Sequence, residues 1–436
     1  MSLYSETFYS NEINQLFSDR SVITNMLTAE ATLAKAQAAL GLIPSEAVEI
    51  IGFSCNVDYI DIDTLKADIK LGGNAAIPLV KQLTKAVKSS DFEASKYVHF
   101  GATSQDIIDT SSVLIIKQVI IWIENKLAVL EKSLLNITKE HKATITIGRT
   151  LLQQARPITF GLKTARWLES ITRSKIRIQK VKTDVLQIQL SGAVGSGNSN
   201  ITDEVQIKFA EYLNLKNTSP WQSQRDHLNE FASILGVLSG SLGKISKDIS
   251  LMMQTEVAEV FEGAQEGKGE SSSMPHKRNP VTCALILSNS ARTPGLVSTM
   301  LSSMLQEHER SAGYWHAEWE TLTQLIGLTC GSLEKSIDLI ENLEVDTKRM
   351  LQNIELTNGL IYAEKVAFEL SNTIGKMQAH EAIKKACKRT IDEGKHLKQI
   401  IRETHPEIDN IDALFQPENA IGNSIKWVEK ITNKYS

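Results

Sequence analysis

The stretch VLIIKQVIIWIENKLAVLEKSLLNI, residues 113–137, decides the fold. Its apolar positions fall at Val113, Ile116, Ile120, Ile123, Leu127, Leu130, Leu134 and Ile137, an unbroken 3-4-3-4 spacing. That period keeps one stripe of a helix apolar over three heptads, which a strand, with its period of two, cannot do. Ile115, Val119, Ile121 and Val129 widen the stripe beyond what one partner helix covers. A helix so apolar around its circumference belongs inside a bundle or at a subunit contact.

Working outward, further long helices are expected over Leu162–Leu190, His227–Phe261, Thr282–Leu305 and Thr321–Leu351. Prolines number only nine, with none between Pro294 and Pro406, so long helices are permitted there. Strand-type alternation is scarce. The expected class is all-α, in three helical segments: 1–105, a central long-helix bundle over 106–350, and 351–436. A chain of 436 residues is long enough to bury a large core in two or three units.

Composition removes several function classes. The 47 Lys+Arg against 51 Asp+Glu leave a net charge of −4, without the basic excess a general nucleic-acid binder shows. No run of about 18 apolar residues is free of charges, so no membrane span is expected. The N-terminal MSLYSETFYSNEINQLF lacks a basic region followed by an apolar run, so no secretory signal is read and a cytoplasmic location is expected. Cys55, Cys283, Cys330 and Cys387 are scattered without a CxxC pair, which suits reduced packing thiols better than disulfides or a zinc site.

Chemistry concentrates in Gly267-Lys-Gly-Glu-Ser-Ser-Ser-Met-Pro-His-Lys-Arg-Asn-Pro280. Glycines open the segment and Pro275 and Pro280 keep it out of the neighbouring helices. Hydroxyls, a lysine, an arginine and an amide stand close together, a set able to grip a carboxylate and stabilise charge developing on it. By composition alone such a segment is more often a plain solvent loop. Two other stretches offer polar groups. His99-Phe-Gly-Ala-Thr-Ser-Gln-Asp-Ile-Ile-Asp-Thr110 places Thr103 and Ser104 where a helix begins, either to cap it or to meet a carboxylate there. Gly148-Arg-Thr-Leu-Leu-Gln-Gln-Ala-Arg-Pro-Ile-Thr-Phe-Gly161 offers Arg149, Thr150, Gln153 and Gln154.

The segment Ser271-Ser-Ser-Met-Pro-His-Lys-Arg-Asn-Pro280 resembles the signature of the fumarase/aspartase superfamily, Gly-Ser-Ser-x-Met-Pro-x-Lys-x-Asn-Pro, and departs from it only at Glu270. In place of glycine, Glu270 adds a carboxylate and removes φ freedom. The other two stretches follow the superfamily's order, so the resemblance spans nearly the whole chain. It implies three helical domains in a homotetramer with a multi-helix core, each active site gathered from three subunits. It implies proton abstraction next to a carboxylate, with Ser271 as the base and Lys277 and Asn279 holding the carboxylate that accepts charge. Thr103, Ser104, Gln105, Arg149, Thr150, Gln153, Gln154, Ser272, Met274 and Arg310 are the expected substrate-binding residues. No metal or organic cofactor is implied, and no glycine-rich phosphate loop supports a nucleotide cofactor.

Within the superfamily, the chain resembles the 3-carboxy-cis,cis-muconate cycloisomerases in several places. These are the Gly101–Thr110 stretch, Trp221-Gln-Ser-Gln-Arg-Asp226, Gln306-Glu-His-Glu-Arg-Ser311, Trp315-His-Ala-Glu-Trp319, Gly73-Asn74, Ile77-Pro78 and Ala413-Leu-Phe. Adenylosuccinate lyases carry an Arg-Tyr pair near the start and a His after Gly-Arg-Thr; here the pair is missing and Leu151 stands in that place. An amine leaving group needs a general acid, whereas a carboxylate leaves as a stable anion. Leu151 therefore favours either elimination of another good anion, such as nitrite from nitrosuccinate, or lactone chemistry, interconverting 3-carboxy-cis,cis-muconate and 4-carboxymuconolactone in aromatic breakdown through protocatechuate. Gln154 stands where some cycloisomerases have His, leaving His99, His276 and His316 as candidate proton donors. The alternatives are a C–N lyase of the adenylosuccinate or argininosuccinate type, a lyase eliminating another anion such as nitrite from nitrosuccinate, and a non-catalytic structural relative.

Overall fold

The computed structural model describes residues 4–264, 269, 274 and 276–435. The seam helix runs over Ser104–Glu140. All eight seam positions from Val113 to Ile137 are buried, as are Ile115 and Val119, while Ile121 and Val129 stay exposed. Each buried aliphatic side chain of this kind contributes about 1.5–3 kcal/mol of transfer free energy, so packing rather than helix propensity holds the element.

Four other long helices follow: Phe160–Val185, Asp226–Met252, Val281–Ser302 and Tyr314–Glu341. Each stops earlier than the apolar pattern suggested, and the causes are local. After Val185 the chain turns extended, and Gln187 bridges to Lys216. Beyond Met252 it enters a turn in which Ala258 takes φ +51°, then a short strand, β3, at Val260–Phe261. The stretch expected as one helix over 321–351 breaks at Glu341 into β4 (Glu344–Val345), and a new helix starts at Thr347, capped by the Asp346 side chain. β3 and β4 pair antiparallel, Val260 with Val345 and Phe261 with Glu344.

The all-α expectation needs a second correction, at residues 145–159. Ile145–Thr150 and Gln153–Thr159 form an antiparallel hairpin, here β1 and β2, with a register shift between Gly148 and Arg149. Ile145, Thr146 and Ile147 are β-branched and suit a strand. The turn, however, is Leu151-Leu152, both at positive φ (+48° and +67°). Two-residue hairpin turns of that geometry favour Asn-Gly, and this one carries no such sign in the sequence. Among the described residues the fold is mostly helical, with two small sheets.

The chain gathers into two compact units that do not follow chain order. One comprises Met1–Leu127, Arg173–Gly243 and Leu285–Glu334; the other comprises Ala128–Thr172, Lys244–Ala284 and Lys335–Ser436. In the first, Leu27, Leu33, Leu79, Leu83, Phe209 and Trp315 belong to one apolar core. In the second, Ile145 and Ile147 from the root of the hairpin join Ile354, Tyr362, Leu397 and Ile400. No helix of the described residues is long and apolar enough to cross a membrane.

Candidate active site

The first unit brings together residues 103–109, 189–193, 222–225 and 309–318. At the start of the seam helix, the Asp106 carboxylate accepts four hydrogen bonds. Oδ2 takes the backbone N–H of Thr103 at 3.0 Å and of Gly192 at 2.9 Å. Oδ1 takes Ser191 N–H at 2.9 Å and Gln189 Nε2 at 3.3 Å. Burial pushes this carboxyl up to about 6, with the N–H donors pulling the other way. The helix is thus capped backward from its third residue. That leaves the Thr103 hydroxyl for another purpose: it accepts from Arg310 Nη2 at 2.8 Å.

Arg310 also donates from Nε to Gln105 Oε1 at 3.1 Å and, weakly, to the Ala193 carbonyl at 3.4 Å. These partners are neutral, so the guanidinium keeps its charge for an anion. Gln105 is in turn held from beneath: its Nε2 donates to Asp109 Oδ2 at 3.1 Å and to the Gln222 carbonyl at 2.8 Å. Asp109 forms a fork with Arg225, at 2.7 and 3.1 Å, and accepts Trp315 Nε1 at 3.0 Å. Arg225 also grips Glu318 through Nε, at 3.0 and 3.1 Å, and lies 4.8 Å over the Trp221 ring. Asp109, Arg225 and Glu318 are all buried. Burial raises the Glu318 carboxyl, with Arg225 opposing. A continuous chain of hydrogen bonds therefore runs from a buried ion triad, through Gln105, to Arg310. Gln222 adds a second brace, donating from Nε2 to the carbonyl of Glu309 at 2.9 Å.

The preceding loop is pinned just as firmly. Gln37 donates to the carbonyls of Phe100 (2.7 Å) and Asn200 (2.9 Å), and Asn198 donates to that of Gly101 (2.8 Å). His99 takes φ +56°, and its Nδ1 meets the buried Glu30 carboxylate at 2.7 Å. Burial alone would lower the imidazole's pKa; Glu30 outweighs it and holds it above its ordinary value. His316 instead packs against Trp315 and Trp319.

The second unit holds the other expected residues. Arg149 is engaged by the buried Glu259 in a two-pronged pair at 2.9 and 2.6 Å. Asn353 Nδ2 donates to the same carboxylate at 2.9 Å, and Gln154 Nε2 reaches the Asn353 carbonyl at 3.3 Å. Thr150 and Gln153 flank the hairpin tip and are exposed, with Leu151 and Leu152 at 96 % and 78 % exposure between them. Lys277 and Met274 are exposed, and His276 too. Asn279 is half-buried and turns both its backbone N–H and Nδ2 onto the Gly269 carbonyl, each at 3.1 Å. Glu270, Ser271 and Ser272 lie outside the described residues.

Thr103, Gln105 and Arg310 are thus brought into contact, with Ser104 buried at the first helical position beside them. Arg149 and Gln154 are tied to Glu259 and Asn353 instead. Sequence reasoning missed Glu30, Gln37, Glu259 and the Asp109–Arg225–Glu318 triad. Glu30 had one visible sign: it stands four residues after Met26 and before Leu33 and Ala34, a carboxylate on an apolar helical face.

Arg310, braced on a buried network and bonded to neutral groups, is able to meet a carboxylate. The family pattern described as "Lyase" matches residues 7–295, and that of "Adenylosuccinate lyase C-terminus" matches residues 359–431. This chain belongs to the lyases of the fumarase/aspartase superfamily. It is 43 % identical over 432 residues to the 3-carboxy-cis,cis-muconate cycloisomerase of Acinetobacter baylyi, covering 97 % of this chain and 96 % of that one. The nitrosuccinate lyase of Streptomyces davaonensis is 34 % identical, with 95 % and 90 % covered. Among solved structures, the 3-carboxy-cis,cis-muconate lactonizing enzyme from Pseudomonas putida superposes with a TM-score of 0.95 at 41 % identity, covering 99 % of this chain and 98 % of that one.

Proposed function

We propose that this protein interconverts 3-carboxy-cis,cis-muconate and 4-carboxymuconolactone. The observation that carries the reading is the full-length likeness to cycloisomerases, stronger than that to the nitrosuccinate lyase. Leu151 supports it, since a ring-opening carboxylate leaves without a proton. In the lactone-forming direction a substrate carboxylate adds to a double bond and a proton is delivered to the neighbouring carbon. In reverse, Ser271 takes that proton while Lys277 and Asn279 hold the carboxylate on which charge collects. Stabilising that charge only as it develops is what raises turnover. Arg310, with Thr103 and Gln105, would anchor another carboxylate. The same reading includes a homotetramer with sites shared between subunits and a cytoplasmic location, which the free thiols of Cys55, Cys283, Cys330 and Cys387 suit.

Purified protein given 3-carboxy-cis,cis-muconate should erase the absorbance of the conjugated diene as lactone forms. Nitrite from nitrosuccinate, or fumarate from adenylosuccinate or argininosuccinate, with the diene untouched, would transfer the assignment to another lyase.

A further inference from the structure

Between the two residues read as binding the charge-accepting carboxylate stands Arg278, and its side chain is unusually well held for its exposure. Its Nη1 and Nη2 donate to the two carboxylate oxygens of Glu344, each at 2.8 Å, a planar fork that fixes orientation as well as distance. Nη2 also donates to the Glu262 carbonyl at 2.6 Å, and the guanidinium lies 4.7 Å over the Phe261 ring. Glu344 faces Phe261 in the β3–β4 ladder and additionally accepts the Ala264 N–H at 3.1 Å. The Glu262 carboxylate, buried, accepts the N–H groups of Cys283 at 2.8 Å and Thr282 at 3.0 Å, at the start of the next helix. A second tie joins Asn279 to Gly269. There, φ is +73° and a Cβ would meet the Asn279 carbonyl oxygen at 2.7 Å, so only glycine fits.

Residues 261–264 are therefore tied to residues 278–283 around one arginine. A fold-stabilising role does not account for this. The Arg278 and Glu344 side chains are 39 % and 47 % exposed, and ion pairs so open to water contribute little to stability. What the fork does hold is the Arg278 side chain, and its neighbours in the chain are Lys277 and Asn279.

We propose that Arg278 and Glu344 are positioning residues for the reaction, setting where Lys277 and Asn279 present their donors to the substrate carboxylate. The proposal rests on the reading of those two residues given above. Misplacing such groups by an ångström is enough to slow an enzyme by about a hundredfold, which is the scale to look for.

The test uses the full chain and the substrate that the preceding assays find turned over. Arg278→Ala and Glu344→Ala should each lower kcat by about 10- to 100-fold with KM within about threefold. Their melting temperatures should stay within ~2 °C of the parent. Arg278→Lys, which keeps the charge but not the fork, should fall between, and the double exchange Arg278→Glu with Glu344→Arg should regain much of the loss. Parental kcat in both alanine variants, while Lys277→Met is crippled, overturns the positioning role alone. Parental kcat in Lys277→Met removes the underlying reading and this proposal with it. A melting temperature lowered by more than ~5 °C in both variants would also overturn it, making the pair a fold element.

Discussion

Two arginines show how differently this protein treats its charges. Arg225 is sealed in the first unit, its side chain 2 % exposed, between Asp109 and Glu318. Arg278 sits at the surface of the second, forked onto Glu344 in contact with water. The first arrangement is expensive, because three charges leave water together, and such a set survives only when its hydrogen bonds are complete. Its return is rigidity: Gln105, Thr103 and Arg310 inherit fixed positions. The second arrangement is energetically light and geometrically exact enough to aim its neighbours. The groups read as binding substrate are thus held from below in the first unit, while in the second Lys277 and Asn279 flank an arginine paired at the surface.

Four measurements would break or sharpen that contrast. Ser271→Ala should cut kcat by about 10²–10⁴-fold, the usual scale for losing a proton-transfer group, with the helical circular dichroism unchanged. Near-parental turnover would remove the base assignment from Ser271. Arg225→Met should lower unfolding free energy by about 3–5 kcal/mol, read from urea midpoints, since two buried carboxylates lose their partner. A cost below about 1 kcal/mol would make the buried triad no different from a surface pair.

Next in size is a pH effect from the buried side. His227 stacks edge-on against Trp221 at 4.5 Å, and burial pushes its pKa down to about 4, with Arg225 adding to the effect. A depressed histidine favours the neutral form in the folded state, so the unfolded chain binds the extra proton first. Stability should be intact above about pH 6.5 and fall as pH drops toward 4, by up to roughly 3 kcal/mol. His227→Phe should flatten that slope in urea titrations between pH 4 and 7; an unchanged slope would assign it to the carboxylates. Smallest is Leu152→Gly at the exposed hairpin tip. Glycine relieves a positive φ there and should raise stability by about 0.5–1 kcal/mol, seen as a higher melting temperature. A fall would mean that the leucine side chain makes a stabilising contact.

What was legible in the chain differs between these regions for the same reason. The Val113–Ile137 spacing predicted a helix whose eight seam residues are all buried. The Gln306–Ser311 stretch pointed to Arg310, now found on Thr103 and Gln105. By contrast, the 145–159 hairpin was invisible, because its turn uses Leu-Leu where local preference asks for Asn-Gly. Arg149, expected as a substrate ligand, pairs with Glu259, 110 residues away, a contact no local pattern reveals.

The sequence by itself determined the helical class, the superfamily motif and the residue types available for carboxylate chemistry, since periodicity and motif spacing are local properties that a chain carries unfolded. Only the tertiary structure decided which charges are neutralised and which remain for a ligand. Pairing Arg225 with Asp109 and Glu318, and leaving Arg310 with neutral partners, depends on contacts spanning about a hundred residues or more. No window of sequence holds both members of such a pair, so the electrostatics of the site come into being only when the chain has folded.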